Sequence, residues 1–333
     1  MKGLRTVGLV AGYGGQALLG PLDLDLPAGR LVCLIGANGA GKSTLIRTLC
    51  SMQSALAGEV LLDGVALASL SAVEQARRLA VVLTDRVNVT LMTGYELASL
   101  GRYPHLGWRG RLSEADHMAV AAALQQAGAL PLAQRAVEEM SDGERQKVMI
   151  ARALAQAPRL LVLDEATAFL DLPRRVETLQ LLRDLARARG LAVLLSTHDL
   201  ELAMRYADAL WLIEGGRQLH AGAPEDLALS GALGRTFSAE GLCFDLERGE
   251  LRVGRDGSQA IRLEGKGVAA IWAHRALQRA GYAVCIDAPL TVRADAAGYG
   301  LIAVTGPEER FDTLGALVER LSGNNALDGA AHT

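Results

Sequence analysis

The segment Gly36-Ala37-Asn38-Gly39-Ala40-Gly41-Lys42-Ser43-Thr44 fits the pattern GxxxxGK[ST], a spacing suited to holding phosphates. Its glycines let consecutive backbone N–H groups face inward, and a helix starting at its end adds a favourable dipole. At this spacing the Lys42 ammonium can reach the β and γ phosphates of a nucleotide, and the Ser43 hydroxyl can coordinate Mg²⁺. A second set of groups, Asp164-Glu165, follows the apolar run Leu160 to Leu163. Alone, such a pair reads as a helix cap with a first-turn acid. With a phosphate loop upstream, Asp164 is suited to hold Mg²⁺, directly or through water, and Glu165 to orient and polarise the water attacking the γ phosphate. His198, in Ser196-Thr197-His198-Asp199, follows the apolar run Leu191 to Leu195. Alone it is balanced between capping and catalysis, and its position after the acidic strand favours catalysis.

A rival glycine signal, Gly12-x-Gly14-x-x-Ala17, approximates a dinucleotide fingerprint. That fingerprint should open a helix, whereas Gly20-Pro21 and an alternating segment follow here, which argues against a nicotinamide site. Tyr13, in the same loop, offers an aromatic platform for a purine base, although a loop tyrosine alone is more often structural.

Positioning these groups requires strands that end where the motifs begin. Leu31 to Ile35 reads as a strand stopping at Gly36, with a helix running from Ser43 through Cys50, and Leu22 to Leu26 alternates with period two as a further strand. From about Thr93 to Ala157 the composition is helical, with Ser113 and Asp116 forming an N-cap before MAVAAALQQAG. Continuous apolar runs alternating with helical segments predict parallel strands buried on both faces. Trp211 to Ile213 followed by Glu214-Gly215-Gly216-Arg217 reads as a strand entering a hairpin. After Ala239 the pattern restarts, with strands at Ala260 to Leu263, Ala283 to Ile286, Leu290 to Arg293 and Leu301 to Thr305, and helices at Val268 to Ala280 and Phe311 to Leu321. This predicts a small α+β module of ferredoxin-like type over 241–323, and a loose tail over 324–333.

With 333 residues, 50% of them hydrophobic, the chain can bury two cores. Lys and Arg total 34 against 37 for Asp and Glu, a net charge of −3, which argues against a nucleic-acid partner. Cys33, Cys50, Cys243 and Cys285 are widely spaced and read as buried apolar residues in a reducing compartment. The N-terminus has no secretory h-region, and no apolar run reaches the about 18 residues of a membrane span. A cytoplasmic protein is expected.

Together these positions resemble the ABC ATPases from about Gly3 to Phe237. Met140-Ser141-Asp142-Gly143-Glu144-Arg145-Gln146 resembles the family's signature segment, with Met for the usual Leu and Asp for the first Gly, and Lys147 to Leu154 resembles its signature helix. Ala168-Phe169-Leu170-Asp171 is similar to the loop that contacts the opposite subunit, Tyr13 to the adenine-stacking aromatic and His198 to the switch histidine. The resemblance implies an α/β fold, the P-loop NTPase cassette with a mixed-sheet core, over 1–240, with a helical subdomain over about 88–157 and the α+β module appended. It implies ATP hydrolysis with Mg²⁺. Lys42, Glu165 and His198 would be catalytic, and Ser43, Asp164 and Thr84 would contact the metal. Tyr13, Gly36, Asn38, Gly39, Gly41, Lys42, Ser43, Thr44, Ser141, Asp142, Gly143, Glu144 and Asp171 would bind the nucleotide. Thr84 stands where the family has a metal-contacting Gln; its shorter hydroxyl would act through water, or Asp85 would substitute.

Leu100-Gly101-Arg102-Tyr103-Pro104-His105-Leu106-Gly107 resembles the corresponding segment of importers for iron siderophores, haem and vitamin B12. The implied partners are a second copy in a head-to-tail dimer, an integral membrane permease and, indirectly, a substrate-binding protein, with the chain peripheral on the cytoplasmic face of the inner membrane. Two alternatives are a soluble ABC mechanoenzyme, which usually carries a coiled-coil insertion or two cassettes, and a cassette gated by ligand binding to the C-terminal module.

Overall fold

The computed structural model describes residues 2–83, 91–107, 110–238, 242–246, 249–253, 259–285, 288–295, 298–303 and 307–328. Strands β1 (Gly3–Tyr13) and β2 (Gln16–Leu22) form a hairpin closed by Gly14-Gly15. Both glycines have positive φ, 55° and 80°, the turn geometry that matches strand twist. The rival glycine motif is therefore a hairpin turn. Strand β3 (Asp25–Pro27) also pairs with β1, so the expected continuous strand from Leu22 to Leu26 is interrupted. At the break side chains replace the ladder: Asp23 Oδ1 accepts the Gly8 N–H at 2.8 Å and Thr6 Oγ1 accepts the Leu24 N–H at 2.8 Å. Leu22, Leu24 and Leu26 are nevertheless all buried. The alternation thus marks which face is apolar but not where the backbone bonds go.

The chain then enters the central sheet through β4 (Leu31–Gly36) and α1 (Lys42–Leu49), and returns to the first sheet as β5 (Ala57–Leu62) and β6 (Val65–Ala66). Helix α2 (Ala72–Arg78) leads to β7 (Leu79–Val82), and α3 (Gly94–Ser99), α4 (Glu114–Gln126) and α5 (Asp142–Ala155) build the helical subdomain. Next come β8 (Leu160–Leu163), α6 (Leu172–Arg189), β9 (Ala192–Ser196), α7 (Leu200–Tyr206) and the hairpin β10 (Ala209–Glu214) with β11 (Gln218–Gly222). The sheet order is β11-β10-β4-β9-β8-β7, with every pair parallel except β10 with β11.

Both faces of this sheet are covered, which is why its strands read as continuous apolar runs. Leu31, Cys33, Ile35, Leu161, Leu163, Val193 and Leu195 face a core shared with α3, α4, α5 and α6. The intervening Val32, Leu34, Leu160, Val162, Ala192 and Leu194 face a core shared with α1 and the first sheet.

Helix α4 starts at a capping box in which Ser113 Oγ accepts the Asp116 N–H and Asp116 Oδ2 accepts the Ser113 N–H at 2.9 Å. The other carboxylate oxygen of Asp116 pairs with Arg102 at 2.9 Å, and Arg102 also donates to Ala155 O at 2.7 Å, so one guanidinium ties α4 to the end of α5. Hydrogen bonds from Ser113, reinforced by Arg102, hold Asp116 well below the usual carboxylate range, at about 2. The stabilisation is full above the unfolded-state pKa near 4 and is lost as pH falls through about 2. Asp116→Asn should lower stability by about 2 kcal/mol at pH 7 and leave the variant nearly equal to the parent near pH 2, as read from urea unfolding across that range.

Beyond β11 follow α8 (Pro224–Leu229), α9 (Ala232–Ser238) and the hairpin β12 (Leu242–Asp245) with β13 (Glu250–Val253). Phe244 and Leu251 pack on the first core, so the first compact unit extends from Met1 to Arg252, past the expected boundary at 240. The second unit, Val253–Thr333, contains β14 (Gln259–Gly265), α10 (Val268–Arg279), β15 (Tyr282–Val284), β16 (Leu290–Asp295), β17 (Gly298–Ala303), β18 (Glu309–Phe311) and α11 (Leu314–Asp328). Its sheet runs β15-β14-β16-β17-β18 around a core of Ile261, Leu277, Tyr282, Val292, Leu301, Leu317 and Leu321. β14 and β15 are parallel neighbours joined by α10, whereas a ferredoxin-like split βαβ needs another strand between them. The expected ferredoxin-like order is thus replaced by a simple βαβ unit with a meander. Residues 324–328 of the expected loose tail continue α11.

Among the described residues no helix is long and apolar enough to cross a membrane. Cys33 and Cys50 are buried, and burial pushes both thiols up to about 12. Cys243 and Cys285 are exposed, contrary to the reading of all four as buried, because each lies on or beside a short strand with a solvated face. A thiol reagent at pH 8 should label two cysteines in the folded chain and four after denaturation, counted by mass.

Candidate active site

The sheet order makes the carboxyl ends of β4, β9 and β8 consecutive neighbours, and each ends in one of the candidate motifs. The loop after β4 ends at Gly41, the N-cap of α1, whose φ of 103° suits glycine; a Cβ there would lie 2.8 Å from Leu18 Cδ2. A Cβ at Gly39 would meet nothing within 4 Å, so open space lies above the loop. Lys42 is 6% exposed; its Nζ donates to Gly36 O at 2.7 Å and Ala37 O at 3.1 Å, folding the side chain back over the loop. The Ser43 side chain is exposed, and Thr44 is buried behind it.

Tyr13 ends β1 beside the hairpin turn and is 51% exposed. Its hydroxyl accepts from Arg47 Nη1 at 3.0 Å, and the bonds to Arg47 and Thr44 lower its pKa. These contacts tie the tyrosine to α1, the helix that carries Lys42 and Ser43.

At the end of β8, the Asp164 N–H still donates to Val82 O at 2.9 Å, and the backbone turns at Glu165, whose φ is 47°. That conformation costs a non-glycine residue on the order of 1 kcal/mol and is held by its surroundings. Ser196 Oγ accepts the Glu165 N–H at 2.8 Å and donates to Asp164 Oδ1 at 2.5 Å. His198 Nε2 lies 2.5 Å from Glu165 Oε1, so the two strand ends meet side chain to side chain. Glu165 and His198 line a cavity with Thr167, Arg175, Thr197 and Asp199. Arg175, which sequence reading passed over, donates to Leu170 O at 2.8 Å and reaches Asp199 Oδ2 at 3.4 Å. Nothing in the spacing of Arg175 and Ser196 signals these contacts.

The signature-like segment starts a different helix. Ser141 caps α5 in a capping box: its N–H donates to Glu144 Oε2 at 2.9 Å and its hydroxyl donates to the same oxygen at 2.9 Å. These bonds, with Arg135 at 2.6 Å, lower the Glu144 pKa. The nearest atoms to a Cβ on Gly143 would be those of the Arg174 and Leu170 side chains, at 3.6 to 3.8 Å. Asp171 caps α6 by accepting the Arg174 N–H at 3.0 Å, and Phe169 and Leu172 on either side are 60% and 61% exposed. Thr84 and Asp85 lie outside the described residues.

The residues present fit Mg²⁺ shared with phosphates: a hydroxyl and a carboxylate, Ser43 and Asp164, are hard oxygen donors, and Mg²⁺ takes few ligands from a protein.

Residues 19–168 match the family described as ABC transporter, and residues 258–322 match the iron ABC transporter C-terminal domain. An uncharacterised ABC transporter ATP-binding protein of Methanocaldococcus jannaschii is 42% identical over 67% of this chain and 77% of its own length. The iron(3+)-hydroxamate import ATP-binding protein of Bacillus subtilis is 35% identical over 72% of this chain and 89% of its own. Among solved structures, a chain of a transporter described as ABC type for metal chelates, in an inward-facing conformation, aligns with TM-score 0.63 and 25% identity over 72% of this chain and 90% of that one. Identity at this level over most of a relative's length reflects common descent, and the chain belongs to the family of ABC transporter ATP-binding proteins.

Proposed function

We propose that this chain is the ATP-hydrolysing subunit of an importer for an iron chelate, working as a head-to-tail pair of copies against a membrane permease. The observation that carries the hydrolytic reading is the contact of His198 Nε2 with Glu165 Oε1, at the strand ends next to the phosphate loop. In this reading the backbone N–H groups of Gly36 to Thr44 bind phosphates, and Lys42 exchanges its loop carbonyls for phosphate oxygens. Ser43 and Asp164 would hold Mg²⁺, which would supply neutralisation of the phosphate charge. Glu165 orients the attacking water and His198 fixes the Glu165 carboxylate. Tyr13 offers its exposed ring to the adenine.

The self-pairing is supported by groups that the cassette leaves exposed. Ser141, Asp142 and Gly143, with Glu144 bracing the turn, open α5, whose N-terminal dipole would favour an anion held by another chain. Phe169 and Leu172, beside Asp171, leave apolar surface outward that a second copy would cover. The cargo class draws on the relative that imports iron(3+)-hydroxamate, on the metal-chelate transporter and on the match of residues 258–322. Reconstituted in vesicles with its permease and binding protein, the chain should hydrolyse ATP several-fold faster when a ferric hydroxamate is supplied. Stimulation by a corrinoid alone would move the cargo to cobalamin, and turnover indifferent to permease would favour a soluble ABC enzyme.

A further inference from the structure

We propose that Ser196 is a positioning residue for hydrolysis: one buried hydroxyl holds Asp164 and Glu165 in fixed relation, acting through them without touching the nucleotide. The inference rests on the roles proposed above for those two carboxylates.

Ser196 is the last residue of β9 and is 0% exposed. β8 and β9 are parallel with Leu163 opposite Leu195, and Asp164, just past the end of β8, meets Ser196, the last residue of β9. The hydroxyl can donate one bond and accept two. It donates to Asp164 Oδ1 at 2.5 Å and accepts the Glu165 N–H at 2.8 Å, thereby contacting consecutive residues that have different tasks. Its bond to the Glu165 N–H supports that residue's left-handed conformation, φ 47°, and this conformation brings the Glu165 carboxylate to His198 Nε2. Its proton is committed to Asp164 Oδ1, which leaves the second carboxylate oxygen to face other partners. An apolar residue of the same size would fill the strand end but would leave the Glu165 N–H without this acceptor and let the carboxylate of Asp164 turn.

The test compares Ser196→Ala with Ser196→Thr, which keeps the hydroxyl, in the full-length chain and again in a Glu165→Gln background. Ser196→Ala should lower kcat about tenfold or more, as expected when a reacting group is misplaced, with nucleotide affinity in EDTA unchanged. The Mg²⁺ concentration giving half-maximal nucleotide binding should rise several-fold, and Ser196→Thr should restore both values. Read in the Glu165→Gln background, that Mg²⁺ midpoint needs no turnover. A wild-type midpoint and kcat in Ser196→Ala would overturn the proposal, as would equal impairment by Ala and Thr, which would assign the effect to packing. If Ser196→Ala does not fold, Ser196→Cys, of similar volume but a weak donor, is judged by the same two values. Unchanged turnover in Glu165→Gln alone would count against the water-orienting role of Glu165, and the Mg²⁺ midpoint would still decide the link from Ser196 to Asp164.

Discussion

Glu165→Gln should lower steady-state ATP turnover by about three orders of magnitude while leaving ATP binding near the parent value. The substitution preserves shape, and the amide oxygen can still accept from His198 Nε2, now 2.5 Å from Oε1, so the side chain should stay in its cavity. What it removes is the negative charge that, in the proposed mechanism, would polarise the attacking water. Because Glu165 stands outside the phosphate loop, on the strand end two places away in the sheet, nucleotide affinity should be insensitive to it. Phosphate release measured at saturating ATP is the check, and turnover within a few-fold of the parent would remove Glu165 from the mechanism.

Lys42→Ala should weaken ATP binding by about 30- to 100-fold, the equivalent of about 2–3 kcal/mol for a charge-assisted hydrogen bond. In the structure the ammonium is 6% exposed and bonded to Gly36 O and Ala37 O, a neutral acceptor pair that a phosphate can outcompete for its charge. Lys42→Arg should not rescue it, because a planar guanidinium cannot fit the same turn of backbone. Equilibrium titration with a fluorescent ATP analogue reads the affinity, and full retention would sink the phosphate-loop assignment.

The strand, the glycine turn and the helix start of the candidate phosphate loop were legible because they are local: consecutive residues set all three, so the pattern in one segment is sufficient. The parallel sheet was legible because burial on both faces leaves continuous apolar runs such as Leu160 to Leu163. The same logic failed where side chains replaced ladder bonds, at Asp23 and Leu24. It failed again at the domain boundary, because the β12–β13 hairpin is set by Phe244 and Leu251 packing on the first core and not by any break in composition. In the second unit the short β18 carries Glu309 and Arg310 and is too polar and brief to announce itself, and the adjacency of β14 and β15 has no local signature.

By itself, then, the sequence determined the local pattern: a glycine-rich turn with Lys42 at a helix start, an acidic pair after a buried strand, a histidine after another and a capped helix resembling the family signature. The tertiary structure alone decided that β9 lies between β4 and β8, so that Ser196 bonds a main-chain N–H 31 residues away and His198 meets Glu165 33 residues away. The reason is that parallel strands are joined by long crossovers, so neighbours in the sheet need not be neighbours in the chain, and their order follows from packing the helices onto both faces.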